Sequence, residues 1–212
     1  MAENPHKKRH QKRSKKTRPD EIINAALDLF ADHGYSATKL DDIATHAGIT
    51  KGTIYLYFDS KEKLFQAVIQ TVIVKEIEKA KKLAIDHEGS KCDLLHKLIH
   101  YWWAMVGETR LAGIPKLMIS EASNFPELSS FFVDNVTCRA RAIFVEIIEE
   151  GIINGEFRKL DANYVARLIL APLVFAVIWK KSLSPYDKEP YDIYKYLDLH
   201  IDLVLNGLIK DE

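Results

Sequence analysis

TKLDDIATHAGITKGTIYLYF, residues 38–58, decides how the rest of the chain is to be read. Thr38-Lys39-Leu40-Asp41 has the form of a capping box, with the Thr38 hydroxyl bonding forward and Asp41 reaching back. It opens a short helix whose inward residues are Leu40, Ile43, Ala44 and Ala47. Gly48 supplies a tight turn, and Ile49 plugs the angle between the two helices. Thr50 is placed to cap a second helix over residues 51–58, which buries Ile54 and Phe58 four residues apart. Two short helices joined by a glycine turn, with small residues where they cross, form a helix-turn-helix. The same pattern also fits a helical hairpin inside a bundle, and the outer face of the second helix separates the two.

That face begins Thr50-Lys51-Gly52-Thr53, short hydroxyls and an amine around a glycine. Glycine near a helix start costs ~1 kcal/mol relative to alanine, which makes sense if the backbone must approach another molecule closely. Free N–H groups at an exposed helix start also attract phosphate. Tyr55, Leu56 and Tyr57 add an exposed aromatic and apolar surface, poor for solubility but suited to thymine methyls, sugars and phosphate oxygens. Lys61, at the next helix start, opposes the dipole preference for acids there and so calls for an outside anion.

Upstream, residues 20–33 place Ile22, Ile23, Ala26, Leu27 and Phe30 on one helical face, closed by Gly34. Before them lies a basic arm, residues 1–18, holding Lys7, Lys8, Arg9, Lys12, Arg13, Lys15, Lys16 and Arg18 against the single acid Glu3. The formal net charge of +0 is therefore an average over a basic arm and a remainder with 22 basic and 29 acidic residues. Counterion release draws such an arm to phosphates, although a solubilising tail or a leftover leader has the same composition.

Downstream, helical periodicity continues over residues 61–85, 93–108, 111–121, 126–154, 161–182 and 191–209, with no alternating strand pattern. The expected fold is all-α, with about nine helices. It divides into the arm (1–18), an N-terminal three-helix helix-turn-helix DNA-binding domain (19–64) and a helical C-terminal domain (65–212). The start of the chain is polar beyond its basic residues, so no secretion signal is expected. The longest apolar run, residues 168–179, is short of the ~18 needed to span a bilayer. Cys92 and Cys138 are too few and isolated for a disulfide framework, which points to the cytoplasm and no membrane association.

Residues 18–66 closely resemble the TetR/AcrR family of bacterial regulators, above all in Ala44, Ala47-Gly48-Ile49-Thr50-Lys51-Gly52-Thr53-Ile54-Tyr55-Leu56-Tyr57-Phe58 and Ser60-Lys61-Glu62 with Leu64. Glu121, Phe125-Pro126-Glu127-Leu128 and Gly155-Glu156-Phe157-Arg158 resemble signposts of AcrR-type C-terminal domains. The resemblance implies that Lys51, Gly52, Thr53 and Tyr55 face bases or their methyls. It implies that Thr38, Tyr57 and Lys61 grip phosphates and that Lys39 reaches either. Leu56 stands where many members carry histidine, which puts one polar contact of those members in doubt. The arm exceeds the family minimum and is suited to the minor groove, as homeodomain arms are.

The resemblance also implies that residues 65–212 are a ligand-binding and dimerisation domain, and with it a dimer and a small-molecule effector. In residues 191–209 the polar Asp192, Lys195, Asp198, Asp202 and Asn206 occupy one narrow stripe, leaving an apolar surface wider than one core requires. Residues 168–179 are apolar all round. The last two helices thus fit a four-helix homodimer interface, the other reading being burial within one chain. Trp102, Trp103, Met105, Met118, Phe125, Phe175 and Trp179 are candidates to line a ligand cavity, or equally to be ordinary core. Pro172 interrupts its helix and is suited to a kink beside such a cavity. Cys92, His96 and His100 share a helical face at a spacing that can hold a metal. With no nearby acidic cluster they are read as solvated core-edge residues, and neither metal nor cofactor is assigned. No glycine-rich phosphate loop or nucleophile elbow appears, so no enzyme activity is expected. The functional expectation is a homodimer that binds double-stranded operator DNA and is released by an apolar ligand. The alternative is a DNA-marking interaction protein of the same fold, acting through a protein partner.

Overall fold

Ile22, Ile23, Ala26, Leu27 and Phe30, repeating at three and four residues, all lie buried along one face of α1 (Arg18–His33). A computed structural model describes residues 18–209, so the basic arm lies outside the described residues except for Arg18, which belongs to α1. Gly34 closes α1 with φ +85°, a conformation glycine adopts without strain. α2 (Leu40–His46) and α3 (Lys51–Tyr55) come next in the chain, separated by Gly48 at φ +64°. Beyond them lie α4 (Lys61–Val68), α5 (Val74–Ile85), α6 (Lys91–Trp102), α7 (Gly113–Glu121) and α8 (Pro126–Phe132). α9 (Cys138–Ile153), α10 (Ala162–Ser182) and α11 (Ile193–Leu208) complete the bundle. α4 runs into α5, and α8 into α9, through π turns, which leaves nine continuous helices among the described residues.

The helix expected over residues 61–85 is therefore one helix with a π turn at Ile69–Ile73. Two others lie at Trp103–Gly107, after α6, and at Val133–Thr137. A π turn adds one residue to a turn and rotates everything after it, a shift that averaged apolar periodicity does not register. Phe157 and Ile209 form one isolated antiparallel bridge that ties the end of α11 to the α9–α10 loop. α10 is long and apolar enough to cross a bilayer, being longer than the run at its centre. Instead it lays Ala166, Ile169, Leu173, Ala176 and Val177 into the bundle. It continues unbroken through Pro172.

The helix-turn-helix is joined to the rest by an aromatic cluster. Tyr35 meets Phe30 at 5.6 Å, Phe65 of α4 at 5.4 Å and Phe125, just before α8, at 4.8 Å between ring centres. Burial, with Glu62 and Glu121 nearby, pushes the Tyr35 phenol up to about 12. Folded Tyr35 thus keeps its proton at a pH where the unfolded chain loses it. Its contribution is complete below pH 10 and is lost as pH rises from 10 toward 12. Tyr101, raised by burial and its bond to Glu76, behaves alike. We expect the urea midpoint to fall through this window, and to fall less in Tyr35→Phe. Parallel profiles for the two proteins would show that Tyr35 does not sense folding.

Candidate nucleic-acid interface and apolar cavity

The capping box lies one residue later than its sequence form suggests. Lys39 is the N-cap of α2, and its N–H donates to Asp42 Oδ2 at 3.3 Å. Thr38 is only 3% exposed, and its hydroxyl donates to Gly34 O at 2.7 Å and Leu29 O at 3.1 Å. That hydroxyl holds the α1–α2 turn closed and faces away from solvent, which corrects the cap. Thr50 begins α3, but its side chain makes no cap bond and instead shares a 2.9 Å hydrogen bond with the Thr53 hydroxyl. α3 ends at Tyr55, not Phe58, because the N–H groups of Tyr57 and Phe58 both turn back to Ile54 O at 2.9 Å.

Ile54 anchors α3 completely buried, so the opposite side faces outward. Lys39, Thr50, Lys51, Gly52, Tyr55, Leu56 and Tyr57 are exposed, Thr53 partly, and Leu56 reaches 79% exposure. A Cβ at Gly52 would meet only the Thr50 hydroxyl, at 3.9 Å, so nothing among the described residues requires glycine there. Lys51 pairs with Asp41 at 2.8 Å. The hydrogen bond to Asp41, and then its charge, hold the Lys51 ammonium above its ordinary value.

Lys61 is turned inward. Its ammonium donates to Tyr35 O at 2.8 Å, Thr38 O at 3.0 Å and Ser36 O at 3.4 Å, and it lies 4.4 Å from the Tyr35 ring centre. Burial lowers its pKa, with Glu121 opposing. The anion called for at the start of α4 is answered by three carbonyl oxygens of the α1–α2 turn. In this structure those oxygens use its donors.

The helical bundle encloses a cavity of about 300 Å³. Trp102, Met105 and Met118 line it, together with residues such as Ile77, Leu98 and Phe144. Its polar contributors are few, chiefly Tyr101 and Thr137. All three π turns supply lining residues: Ile73 from the first, Met105 and Val106 from the second, Val136 and Thr137 from the third. Leu170 and Val174, on either side of Pro172, complete one wall.

Four of the expected lining residues lie elsewhere. Trp103 is core: a Cβ at Gly107 would stand 2.6 Å from its ring, and its indole N–H donates to Glu108 at 2.7 Å. Lys180 closes this group, donating to Glu108 at 3.1 Å and to Gly107 O at 3.0 Å. Bonds from Lys180 and Trp103 hold the Glu108 carboxyl below its ordinary value. Phe125 packs on Tyr35, Phe175 is 60% exposed, and Trp179 contacts Phe175 with ring centres 6.1 Å apart. Glu121 accepts Ser36 N–H at 2.9 Å, Arg139 faces Glu78 at 3.7 Å, and neither lines the cavity.

Sequence reasoning missed the segment joining cavity and helix-turn-helix. Arg110 donates to Asp28 of α1 at 2.7 Å and also bonds Asn24. Gly113 lies so close to α1 that a Cβ there would be 2.3 Å from Ala31 O. Leu111, Ile114 and Pro115, interleaved with these two, line the cavity. A glycine inside an apolar helical run was the only available signal.

The model of bacterial regulatory proteins of the tetR family matches residues 22–68. The HTH-type transcriptional repressor KstR2 of Mycolicibacterium smegmatis is 29% identical over 198 residues, spanning 92% of this chain and 93% of its own. YhgD of Bacillus subtilis, an uncharacterised HTH-type transcriptional regulator, is 30% identical over 174 residues, spanning 79% and 87%. The fatty acid degradation regulator FadR of Bacillus halodurans shares the fold with a TM-score of 0.75 at 25% identity, over 91% of this chain and 96% of its own.

Proposed function

The chain belongs to the tetR family of bacterial regulatory proteins and is a DNA-binding transcriptional regulator; from that premise we propose that it is a homodimeric cytoplasmic repressor released from its operator by a small, largely apolar ligand. The observation that carries this reading is the segment at residues 110–115, which touches α1 with Arg110 and Gly113 and the cavity with Leu111, Ile114 and Pro115. Anything that spreads the cavity presses on the helix that carries the DNA-reading pair. Ligand and DNA then oppose each other through one coupling free energy, felt equally from either site.

In this reading residues 19–64 read DNA and residues 65–212 sense and pair. The division falls inside α4, which transmits movement as one body. Lys51, Gly52, Thr53 and Tyr55 face the bases, and Lys39, Thr50, Leu56 and Tyr57 flank them against the backbone. Lys61 shapes the turn beneath. Among the described residues Lys39 and Lys51 are the exposed cations beside α3, so much of the phosphate attraction falls to the seven basic residues between positions 7 and 16.

Tyr164, Leu168 and Phe175 lie exposed along α10, and Leu199 and Leu203 along α11. A second copy covers this apolar surface and sets the two reading heads on a two-fold operator. The cavity wall supports a hydrocarbon ligand, and a fatty-acyl chain is the first choice given the name of the Bacillus halodurans relative. A DNA marker acting through a protein partner needs no such cavity.

The test is genome-wide fragment selection with the purified protein at physiological salt, followed by release assays with long-chain fatty acids and their thioesters. A few palindromic sites beside promoters, released by an acyl compound from the native protein but not from Ala140→Trp, is the expected result; Ala140 lies in the cavity wall. Dozens of dispersed sites away from promoters would replace this reading with the DNA-marking one.

A further inference from the structure

The two histidines of α6 gain a third donor that is distant in sequence. His100 Nε2 lies 3.2 Å from Asp198 Oδ1 on α11, and the His96 and His100 ring centres are 4.7 Å apart. One donor atom from each of His96, His100 and Asp198 falls within 4.8 Å of the other two. Cys92, the residue that shares their helical face in sequence, is not part of the cluster. We propose that His96, His100 and Asp198 bind one divalent transition-metal ion of the zinc class, clamping α11 to α6.

Three physical arguments support the assignment. Two imidazoles and one carboxylate form a borderline donor set that suits zinc, cobalt or nickel better than magnesium or calcium. A tetrahedral ion with bonds of about 2.1 Å sets its donors about 3.4 Å apart. The His100–Asp198 edge already has that length, and the others need to close by little more than 1 Å. His96 and Asp198 are exposed, so their side chains can turn that far without disturbing the core. Finally, the contact between His100 and Asp198 does not by itself engage His96, whereas one metal ion takes a donor from all three.

The position gives the site a consequence. At about 100° per residue, His96 lies half a turn round α6 from Leu98, which lines the cavity. Asp198 is likewise on the opposite flank of α11 from His200, whose ring bonds Ile169 O of α10 at 3.0 Å. The ion therefore joins the back of the cavity helix to the free flank of the last helix, leaving exposed Leu199 and Leu203 uncovered. Three protein donors leave a fourth position for water.

The test uses the full chain, stripped with chelator and titrated with Co²⁺, whose visible absorption reports coordination, then with Zn²⁺ in competition. We expect one Co²⁺ per chain, displaced by Zn²⁺, and a rise in the melting midpoint on metal addition. His100→Gln with Asp198→Asn should weaken binding at least tenfold and abolish that rise, and His96→Gln should weaken it at least tenfold. His96→Gln should keep the metal-free midpoint of the native protein, since that side chain is exposed. His6→Gln with His10→Gln controls for imidazoles in the arm and should change nothing. Absence of binding, a loss smaller than tenfold in either cluster variant, or a loss in the arm control would overturn the proposal.

Discussion

Replacing Lys51 and Tyr55 together by alanine will lower operator affinity ~30-fold or more while leaving the melting midpoint nearly unchanged. Both side chains stand on the outer side of α3, with Tyr55 half exposed and Lys51 held only by an exposed pair with Asp41. Surface changes of this kind shift stability by no more than about 0.5 kcal/mol each. In the complex each is expected to contact a base or its methyl, a contact worth ~1–3 kcal/mol of discrimination. Two such losses multiply to ~30-fold or more. Anisotropy titrations on the selected operator and on a scrambled duplex, at one salt concentration, make the measurement. A loss confined to the operator identifies base reading. An equal loss on both duplexes reassigns these residues to phosphate contact, and no loss removes α3 from the interface.

Gly113→Val will have the second large effect, lowering the melting midpoint by roughly 6–12 °C. The added Cβ would lie 2.3 Å from Ala31 O and 2.7 Å from Ala31 Cα, and neither atom belongs to a side chain that can rotate away. Helix α7 must then leave α1 or both must shift, an overpacking cost of about 3 kcal/mol. At ~2–4 °C per kcal/mol for a chain of this size, that gives the stated drop. The same variant should weaken the mutual influence of DNA and ligand, because the contact that fails is the one between the cavity wall and α1. A native midpoint would show that α7 does not rest rigidly on α1, and the coupling proposed at residues 110–115 would fall with it. Gly151→Ala is a useful companion, since a Cβ there would stand 2.2 Å from the Phe157 ring, far from α1. It should cost stability without altering the response of DNA binding to ligand.

The helix-turn-helix was legible because its signals are local. Leu40, Ile43 and Ala44 face inward three and four residues apart, Gly48 takes the positive φ of a turn, and Ile54 anchors the second helix, all within fifteen residues. Averaged periodicity likewise yields nine helices and the all-α class, because each helix must bury a stripe whatever it packs against. Two side chains of this unit nevertheless take partners that spacing does not suggest. Thr38 and Lys61 are the residue types a phosphate site uses, yet each satisfies carbonyls of the α1–α2 turn. A hydroxyl or ammonium bonds whichever acceptor the fold brings within 3 Å, and position along the chain does not name that acceptor.

In the C-terminal half, composition and periodicity were enough to establish that apolar and aromatic residues suffice for both a core and a cavity, and which helices carry them. Their assignment came from the packing of the helices, which sends Trp102, Met105 and Met118 to the cavity wall, Trp103 to the core and Phe175 to the surface. Trp102 and Trp103 part company because neighbours on a helix point about 100° apart, and the packing turns one to the cavity and the other to Gly107 and Glu108. Asp198 reaches His100 for a related reason: the two are 98 positions apart, and only the packing of α11 on α6 makes them neighbours. Backbone and turn preferences act over a few residues and are written in the order of the chain, whereas contacts between helices depend on how whole faces fit.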